Sequence, residues 1–357
     1  MDSLTQATLG ALCGEITMRK QLGWKAPAWG FFWGTLPDLD IIASPFLEPL
    51  DRLGWHRGLS HSLLVMLAAT IIFGYLLAKL HHKKGITPVQ AGWFIFLTWS
   101  THVTIDCFTT YGTQIYEPFS DARVAWNNMS IIDLFFTVPM LLALILVLFF
   151  KKESPARTWI GRTAAIWLCC YVAASFYIKD LAREHFEKEL AAQGITASKM
   201  VTAPTLSNIF LWRMVAESEG NYHIGYWSIF DSDDRDTAFD QIPAKHEDLG
   251  TFAESAEVQK LIWFSQGWYQ VIRSNNDPDS LLFIDMRFTE MHTPGKKAPV
   301  FVWKVTREGN DYQFRQVSFR ENVDMKSTLG YLRERIRGDA PDWMQGSWPW
   351  ETDQNLP

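Results

Sequence analysis

The chain has 357 residues, enough for two domains, and a formal net charge of −6, which argues against a nucleic-acid partner. Its mean hydropathy of −0.06 is that of a soluble protein, but the average conceals two unlike halves. Residues 1–178 hold four long apolar stretches, and residues 180–357 carry most of the charge. The four cysteines, Cys13, Cys107, Cys169 and Cys170, show neither a C-x-x-C nor a zinc-finger spacing, so they predict buried thiols rather than disulfides.

The opening residues, MDSLTQATLGALCGEITMRK, lack the basic n-region of a secretory signal, and Glu15 interrupts their apolar run. Leu4–Thr17 and Ala26–Ile42 read as weaker membrane segments, the second broken by Pro37. Each either spans the bilayer or enters one leaflet, where irregular backbone needs protein around it. Four stronger segments follow: Ser62–Leu80, Ala91–Phe108, Ile131–Phe150 and Gly161–Ile178. Their lengths of 18 to 20 residues suit a hydrocarbon layer of ~30 Å.

Basic residues in short loops orient the segments. Arg19, Lys20 and Lys25, the stretch KLHHKKG at 79–85, and KKESPARTWIGR at 151–162 all fall on one side under strict alternation. That side is cytoplasmic, which places the PDLD and HRGLSH region, the 109–130 loop and everything after 178 outside. Lys179, Arg183 and Lys188 argue mildly the other way, though Asp180, Glu184, Glu187 and Glu189 among them suggest a solvated helix.

Beyond residue 200 the pattern becomes short, aromatic and β-branched: NIFLWRMVAE, YHIGYWSIF, GWYQVIR, LLFIDMRF, APVFVWKVTR and YQFRQVSF, separated by polar turns. This predicts an antiparallel sheet with helices near 253–264 and 325–338. DSDDRD at 231–236 lacks the glycine and twelfth-position glutamate of a calcium loop and reads as a solvated turn. The expected fold is therefore a membrane all-α bundle of four to six segments over 1–180, a helical connector over 181–200, a soluble α+β domain over 201–340 and a tail over 341–357.

On this topology the polar residues of the first half gather at the outer face. Asp38 and Asp40 end the second segment, His56 and His61 precede the third, His102 and Asp106 end the fourth, and Asp133 begins the fifth, with Gln6 nearby. His102 and Asp106 are four apart and share one helix face. His56 and His61 are five apart, about 140° on an ideal helix. They converge only if His56 lies in the loop and His61 in the first helical turn, with Gly58 supplying the bend and Ser60 capping the helix. Imidazoles and carboxylates together suit zinc, with manganese or ferrous iron as alternatives. A cation also offsets the few kcal/mol that each uncompensated Asp or His costs near hydrocarbon.

The metal ligands are expected among Asp38, His56, His61, His102 and Asp106, and whichever aspartates do not bind orient a histidine or take a proton. Arg57 either steadies a developing negative charge or pairs with Asp51 or a lipid headgroup. His81 and His82, among lysines, read as solvated. His185, His223, His246 and His292 are scattered without ligand spacing and read as surface or sheet positions.

The ordered motifs MDSLTQATLGA, GTLPDLD, HRGLSHS, HVTIDCFTTYGTQIYEPFSD and VAWNNMSIID resemble the YdjM family of bacterial inner-membrane proteins. Members of that family are described as membrane-bound metal-dependent hydrolases. The resemblance covers residues 1–180 and implicates Asp38, Asp40, His56, Arg57, His61, His102 and Asp106. Many members carry a histidine after the early threonine, where this chain has Gln6, a poorer ligand. Zinc-dependent phospholipases also assemble His and Asp from several helices, an analogy of chemistry alone.

Two function classes stand at this level. One is a hydrolase in the inner (cell) membrane, with Asp40, Arg57 and Asp106 as catalytic residues, acting on a lipid-like ester or phosphodiester at the outer face. The other is a non-enzymatic membrane protein with a structural metal site and an extracytoplasmic, partner-binding domain. A transporter fits less well, because a transport route needs polar groups near the bilayer midplane.

Overall fold

A computed structural model describes residues 1–232, 235–274, 277–309, 311–319, 323–339 and 346–352. The chain divides into two compact units, residues 1–176 with 206–208, and residues 177–205 with the chain from 209 onward.

The first unit is helical. Helix α1 (Ser3–Leu22) starts where Asp2 accepts the Thr5 N–H, and ends at Gly23 in the left-handed region. Helix α2 (Lys25–Thr35) folds back along it. Their contact is made by facing G-x-x-x-G pairs, Gly10/Gly14 and Gly30/Gly34. A Cβ on Gly30 would lie 2.0 Å from the Gly10 carbonyl oxygen, so only glycine permits this approach. A 3₁₀ segment (Pro37–Phe46) follows, then α3 (Asp51–Trp55) and a single 3₁₀ turn (Leu59–His61).

Helix α4 (Leu63–Leu80) is capped by Ser62, whose hydroxyl accepts the Val65 N–H at 3.2 Å. Helix α5 (Pro88–Cys107) opens with a Thr87–Gln90 capping box and crosses α4 at Gly74 and Gly92. The 108–133 loop is held by Arg123, which donates to the carbonyls of Leu53, Tyr111 and Gly112. Helix α6 (Leu134–Val147) is capped by Asp133, and α7 (Pro155–Ala192) runs for 38 residues.

Among the described residues two helices are long and apolar enough to cross a membrane, Leu63–Leu80 and Pro155–Ala192. The other expected segments differ for identifiable reasons. Asp133 starts α6 late, leaving Ile131 and Ile132 outside it, so the helix has only 14 residues. Helix α5 has the length, but Thr98, Thr101, His102 and Asp106 dilute its apolarity. Helix α2 has 11 residues before Leu36-Pro37 ends it. Cys13 and Cys107 are buried as expected, whereas Cys169 and Cys170 are exposed on α7.

The second unit is α+β. The C-terminal part of α7 brings Ala182, Phe186 and Leu190 against Trp212, Met214 and Ala216, alternate residues of one strand. The 181–200 connector is thus mostly a continuation of α7. Where the sequence predicts one sheet, the described residues form two four-stranded ones, each antiparallel. The first contains β1 (Lys199–Pro204), β2 (Leu211–Ser218), β3 (Asn221–Ser228) and β4 (Asp240–Pro243) in that order. The second has the order β10-β9-β6-β5, built from β5 (Tyr269–Arg273), β6 (Ser280–Asp285), β9 (Val302–Glu308) and β10 (Asp311–Val317). A ribbon, β7 (Met291–Thr293) with β8 (Lys296–Ala298), accompanies them. Helices α8 (Ala256–Phe264) and α9 (Met325–Ile336) lie close to the expected positions. Of the acidic turn, residues 233–234 fall outside the described residues, as do 341–345 and 353–357 of the expected tail. Asp231 in that turn is paired with Arg335, at 2.6 and 2.8 Å.

This unit buries charge. Arg213 on β2 stands opposite Tyr226 on β3, and its Nε lies 2.8 Å from Glu290 Oε2. The Tyr226 hydroxyl donates to Glu290 Oε1 at 2.7 Å, and His292 Nε2 lies 3.0 Å from the same hydroxyl. His292 and His223 are therefore interior sheet residues rather than surface ones. Burial alone would raise the Glu290 carboxyl. The Arg213 guanidinium, His292 and the Tyr226 hydroxyl outweigh it and hold the group well below the usual carboxylate range.

Candidate metal centre

Four segments deliver the polar side chains of the first unit to one place. Pro37 ends α2 and starts the 3₁₀ segment that carries Asp38 and Asp40. The chain then turns at Arg57, which takes a left-handed φ of +60°. Gly58 next to it has negative φ, and a Cβ there would meet the Gly54 carbonyl oxygen at 2.7 Å. The bend is thus shared, with the strained conformation on the arginine and the space requirement on the glycine. His61 ends the 3₁₀ turn ahead of α4 rather than sitting in its first turn, and Ser62, not Ser60, is the cap. His102 and Asp106 come from one face of α5.

Asp38, His61, His102 and Asp106 offer one ligand atom each, all within 4.8 Å of one another. His61 Nε2 lies 3.1 Å from His102 Nε2, 3.3 Å from Asp38 Oδ1 and 3.3 Å from Asp106 Oδ2. His102 Nε2 is 3.5 Å from each of the same two carboxylate oxygens. All but Asp38 are fully buried; its side chain is 15% exposed, making it the accessible edge of the group.

Hydrogen-bond partners place a hydrogen on the Nδ1 of each ring. His102 Nδ1 is 2.7 Å from the Gly34 carbonyl oxygen, which can only accept, so Nδ1 bears the hydrogen. His61 Nδ1 is 2.8 Å from the Ser60 hydroxyl, and that hydroxyl donates its one hydrogen to Asp40 Oδ2 at 2.9 Å. Ser60 therefore accepts from His61 Nδ1. In the neutral rings both Nε2 atoms are bare lone pairs, aimed at each other and at two carboxylates. Asp106 Oδ2 accepts no hydrogen bond, although both imidazoles face it. With both rings neutral, four electron pairs meet there without a proton among them, which is costly in a buried pocket and suitable for a cation. The donor set fits a divalent metal ion.

The surrounding groups orient the donors. Asp106 Oδ1 is taken by the Met1 ammonium, by Gln6 Nε2 at 3.0 Å and by Arg57 Nη2 at 3.1 Å, leaving Oδ2 for the cluster. Gln6, the departure noted in the motif, thus donates through Nε2 to one of the four candidate ligands. The Arg57 guanidinium is buried, donates to Thr109 Oγ1 at 2.8 Å and stacks on Tyr111 with its carbon 5.0 Å from the ring centre. His56 does not join the four. Its Nδ1 lies 2.9 Å from Asp40 Oδ1, and its side chain is 25% exposed. Asp40 also accepts the Arg57 N–H at 3.2 Å, so it holds three donors together. Asp133 belongs elsewhere, capping α6 and accepting from the Tyr171 hydroxyl at 2.8 Å. Ser60, Gly34 and Tyr111 take part in ways the motif spacing does not reveal; the G-x-x-x-G containing Gly34 is the one sequence signal for any of them.

The model of the YdjM inner membrane protein family matches residues 1–182, which contain every residue of the cluster. The chain belongs to the YdjM inner membrane protein family. The YdjM match ends just past the first unit, so the second unit lies almost wholly beyond it. The chain is also similar to an uncharacterized protein, YfhP, of Bacillus subtilis (strain 168), at 22% identity over 303 residues, 81% of this chain and 87% of the relative. No solved structure matches the chain.

Proposed function

We propose that this YdjM-family chain is a metal-dependent hydrolase of the bacterial inner membrane. In this reading it acts at the outer face on an amphiphile with an ester or phosphodiester bond. The observation that carries the reading is the cluster of two bare imidazole nitrogens and two carboxylates beside a partly exposed His56–Asp40 pair.

Zinc is the metal we favour. Bonds of about 2.0–2.1 Å in a tetrahedron put neighbouring donors about 3.3–3.4 Å apart, and an octahedron of similar bonds puts them near 3.0 Å. Five of the six donor–donor distances run from 3.1 to 3.5 Å, and the sixth, between Asp38 and Asp106, is within 4.8 Å. Bound there, the metal supplies Lewis acidity, polarising a substrate oxygen and making water acidic enough to attack near neutral pH. Asp38, His61, His102 and Asp106 hold it. Asp40 keeps the His56 proton on Nδ1, which leaves the His56 Nε2 free to take a proton from the attacking water and return it to the leaving group. Asp40 itself, with three donors, is a positioning residue rather than the base. Arg57 fixes Asp106, and its Nε, which has no acceptor, is the donor left for developing negative charge. An amphiphilic substrate is supported by the 3₁₀ segment that carries Asp38. It exposes Leu39, Ile41, Ile42 and Phe46 beside the cluster.

The test is to load the purified protein with zinc and assay ester and phosphodiester amphiphiles. The parent is expected to release product and to stop on chelation. His56→Ala is expected to keep its metal while turnover falls about 10²–10⁴-fold. A loaded parent that cleaves none of them, or a His56→Ala rate equal to the parent's, refutes the hydrolase. One observation favours the second reading, a structural site: the candidate donors number four, the number of protein ligands that would hold a structural zinc. In that case chelation unfolds the first unit and no substrate is turned over.

We further propose a multi-pass bundle of four to six segments with the second unit outside. The basic groups support it: Arg19, Lys20 and Lys152 line a single cavity, and Lys25 and Lys84 both act on His81. An alkaline phosphatase fused after residue 200 is expected to be active in cells. An inactive fusion, with an active cytoplasmic reporter at the same position, reverses the orientation.

A further inference from the structure

Helix α1 ends and α7 begins around a cavity of about 520 Å³ lined by Arg19, Lys20, Lys152, Glu153, Pro155, Thr158 and Trp159. The charges around it do not balance. Glu15 is fully buried and is gripped by Arg157, Nε to Oε1 and Nη2 to Oε2, both at 2.7 Å. That two-point pair is neutral and complete. Arg19, only 7% exposed, comes no nearer to Glu15 than 3.6 Å. Its Nη2 donates to the Thr158 hydroxyl at 2.8 Å, and its Nε has no acceptor. The three buried groups therefore carry one positive charge in excess. An uncompensated buried charge is among the most unfavourable features a fold can hold.

The rest of the wall adds to that charge. Lys20 and Lys152 contribute two more cations, and the one acid among the lining residues, Glu153, is 72% exposed and 3.6 Å from Lys152. The 38-residue α7 presents its N-terminus there, where backbone dipoles favour anions. Trp159, 61% exposed with Arg162 5.5 Å over its ring, gives the mouth an aromatic edge of the kind found at headgroup level.

We propose that this cavity binds a phosphoryl-bearing anion, with Arg19 as the buried anchor and Lys20 and Lys152 closing on the phosphate oxygens. The phosphoryl group has two sources of the same chemistry, an anionic phospholipid headgroup or a soluble phosphate. The site stands apart from the His/Asp cluster, and none of its residues has a role in the proposed hydrolysis.

The experiment uses the full-length protein in mild detergent and follows thermal unfolding at constant ionic strength. The additives are dihexanoyl phosphatidylglycerol, dihexanoyl phosphatidylcholine and inorganic phosphate. Phosphatidylglycerol is expected to raise the midpoint and phosphatidylcholine to leave it unchanged. Lys20→Gln with Lys152→Gln is expected to weaken the response about tenfold, the loss of one to two charge-assisted bonds. Both lysines are exposed, and Lys152→Gln alone carries the test if the pair does not express. Stabilisation by phosphatidylglycerol alone assigns the lipid; equal stabilisation by phosphate assigns the soluble ion. The proposal fails if neither anion stabilises, if phosphatidylcholine does as well, or if the variant responds like the parent.

Discussion

His61→Ala and His102→Ala, each purified in mild detergent, are expected to hold metal at least a hundredfold more weakly than the parent. Residues that merely orient a ligand are worth about 10–100-fold in affinity, and a direct donor exceeds them. Each imidazole here presents its Nε2 to the same two carboxylates, so its loss leaves three donors, one imidazole and two carboxylates. A graded series tests the assignment by elemental analysis of the purified protein. Asp40→Asn, acting on His61 through Ser60, is expected to weaken binding about 10–100-fold. His56→Ala, outside the four, is expected to leave the metal content near that of the parent. Unchanged metal in both His61→Ala and His102→Ala removes the centre altogether.

The second large effect is expected in the other unit. Glu290→Gln leaves Arg213 buried beside a neutral amide, and breaking a buried pair in this way costs about 3–5 kcal/mol. For a unit of this size that lowers the unfolding midpoint by about 10 °C. Adding Arg213→Met removes the orphaned charge and is expected to restore much of the loss, since contacting residues couple strongly. The same carboxyl sets a pH dependence. Its folded pKa is depressed, so its stabilisation is present above the unfolded value of about 4.3 and is lost as pH falls below it. Acid unfolding of the parent is expected to steepen below that pH, and Glu290→Gln to flatten it. A Glu290→Gln protein with unchanged midpoint and unchanged acid slope overturns the role given to the pair.

How much of this was readable in the chain depends on the kind of signal. Asp38, His61, His102 and Asp106 stand out because histidine and aspartate are expensive next to apolar runs, and their presence there demands a reason. The roles within the cluster did not stand out. Whether His56 or Asp38 faces the histidine pair turns on the left-handed φ of Arg57, which no spacing rule predicts. Ser60 looks like a cap and serves as a hydrogen-bond acceptor for His61, because Ser62 stands two residues on to do the capping. The second unit shows the reverse balance. Its main strands follow from composition, but β1 ends in a proline and β4 is four residues long, too little pattern for either to register. The Arg213, Tyr226, Glu290 and His292 network joins residues from β2, β3 and the β7 region, and only the folded chain reveals it.

The crossing of α1 and α2 has a consequence for coordination chemistry. Gly34 is a glycine because a Cβ would sit 2.7 Å from the Gln6 carbonyl oxygen of α1, and its own carbonyl accepts from His102 Nδ1 of α5. The seating of α2 against α1 thus bears on where the carbonyl that sets the imidazole tautomer lies. Pushing the two helices apart by the width of a methyl group would free the ring to carry its hydrogen on the other nitrogen. The centre would then be disabled with all four donors still in the sequence, so an inventory of ligands alone would pronounce such a chain intact.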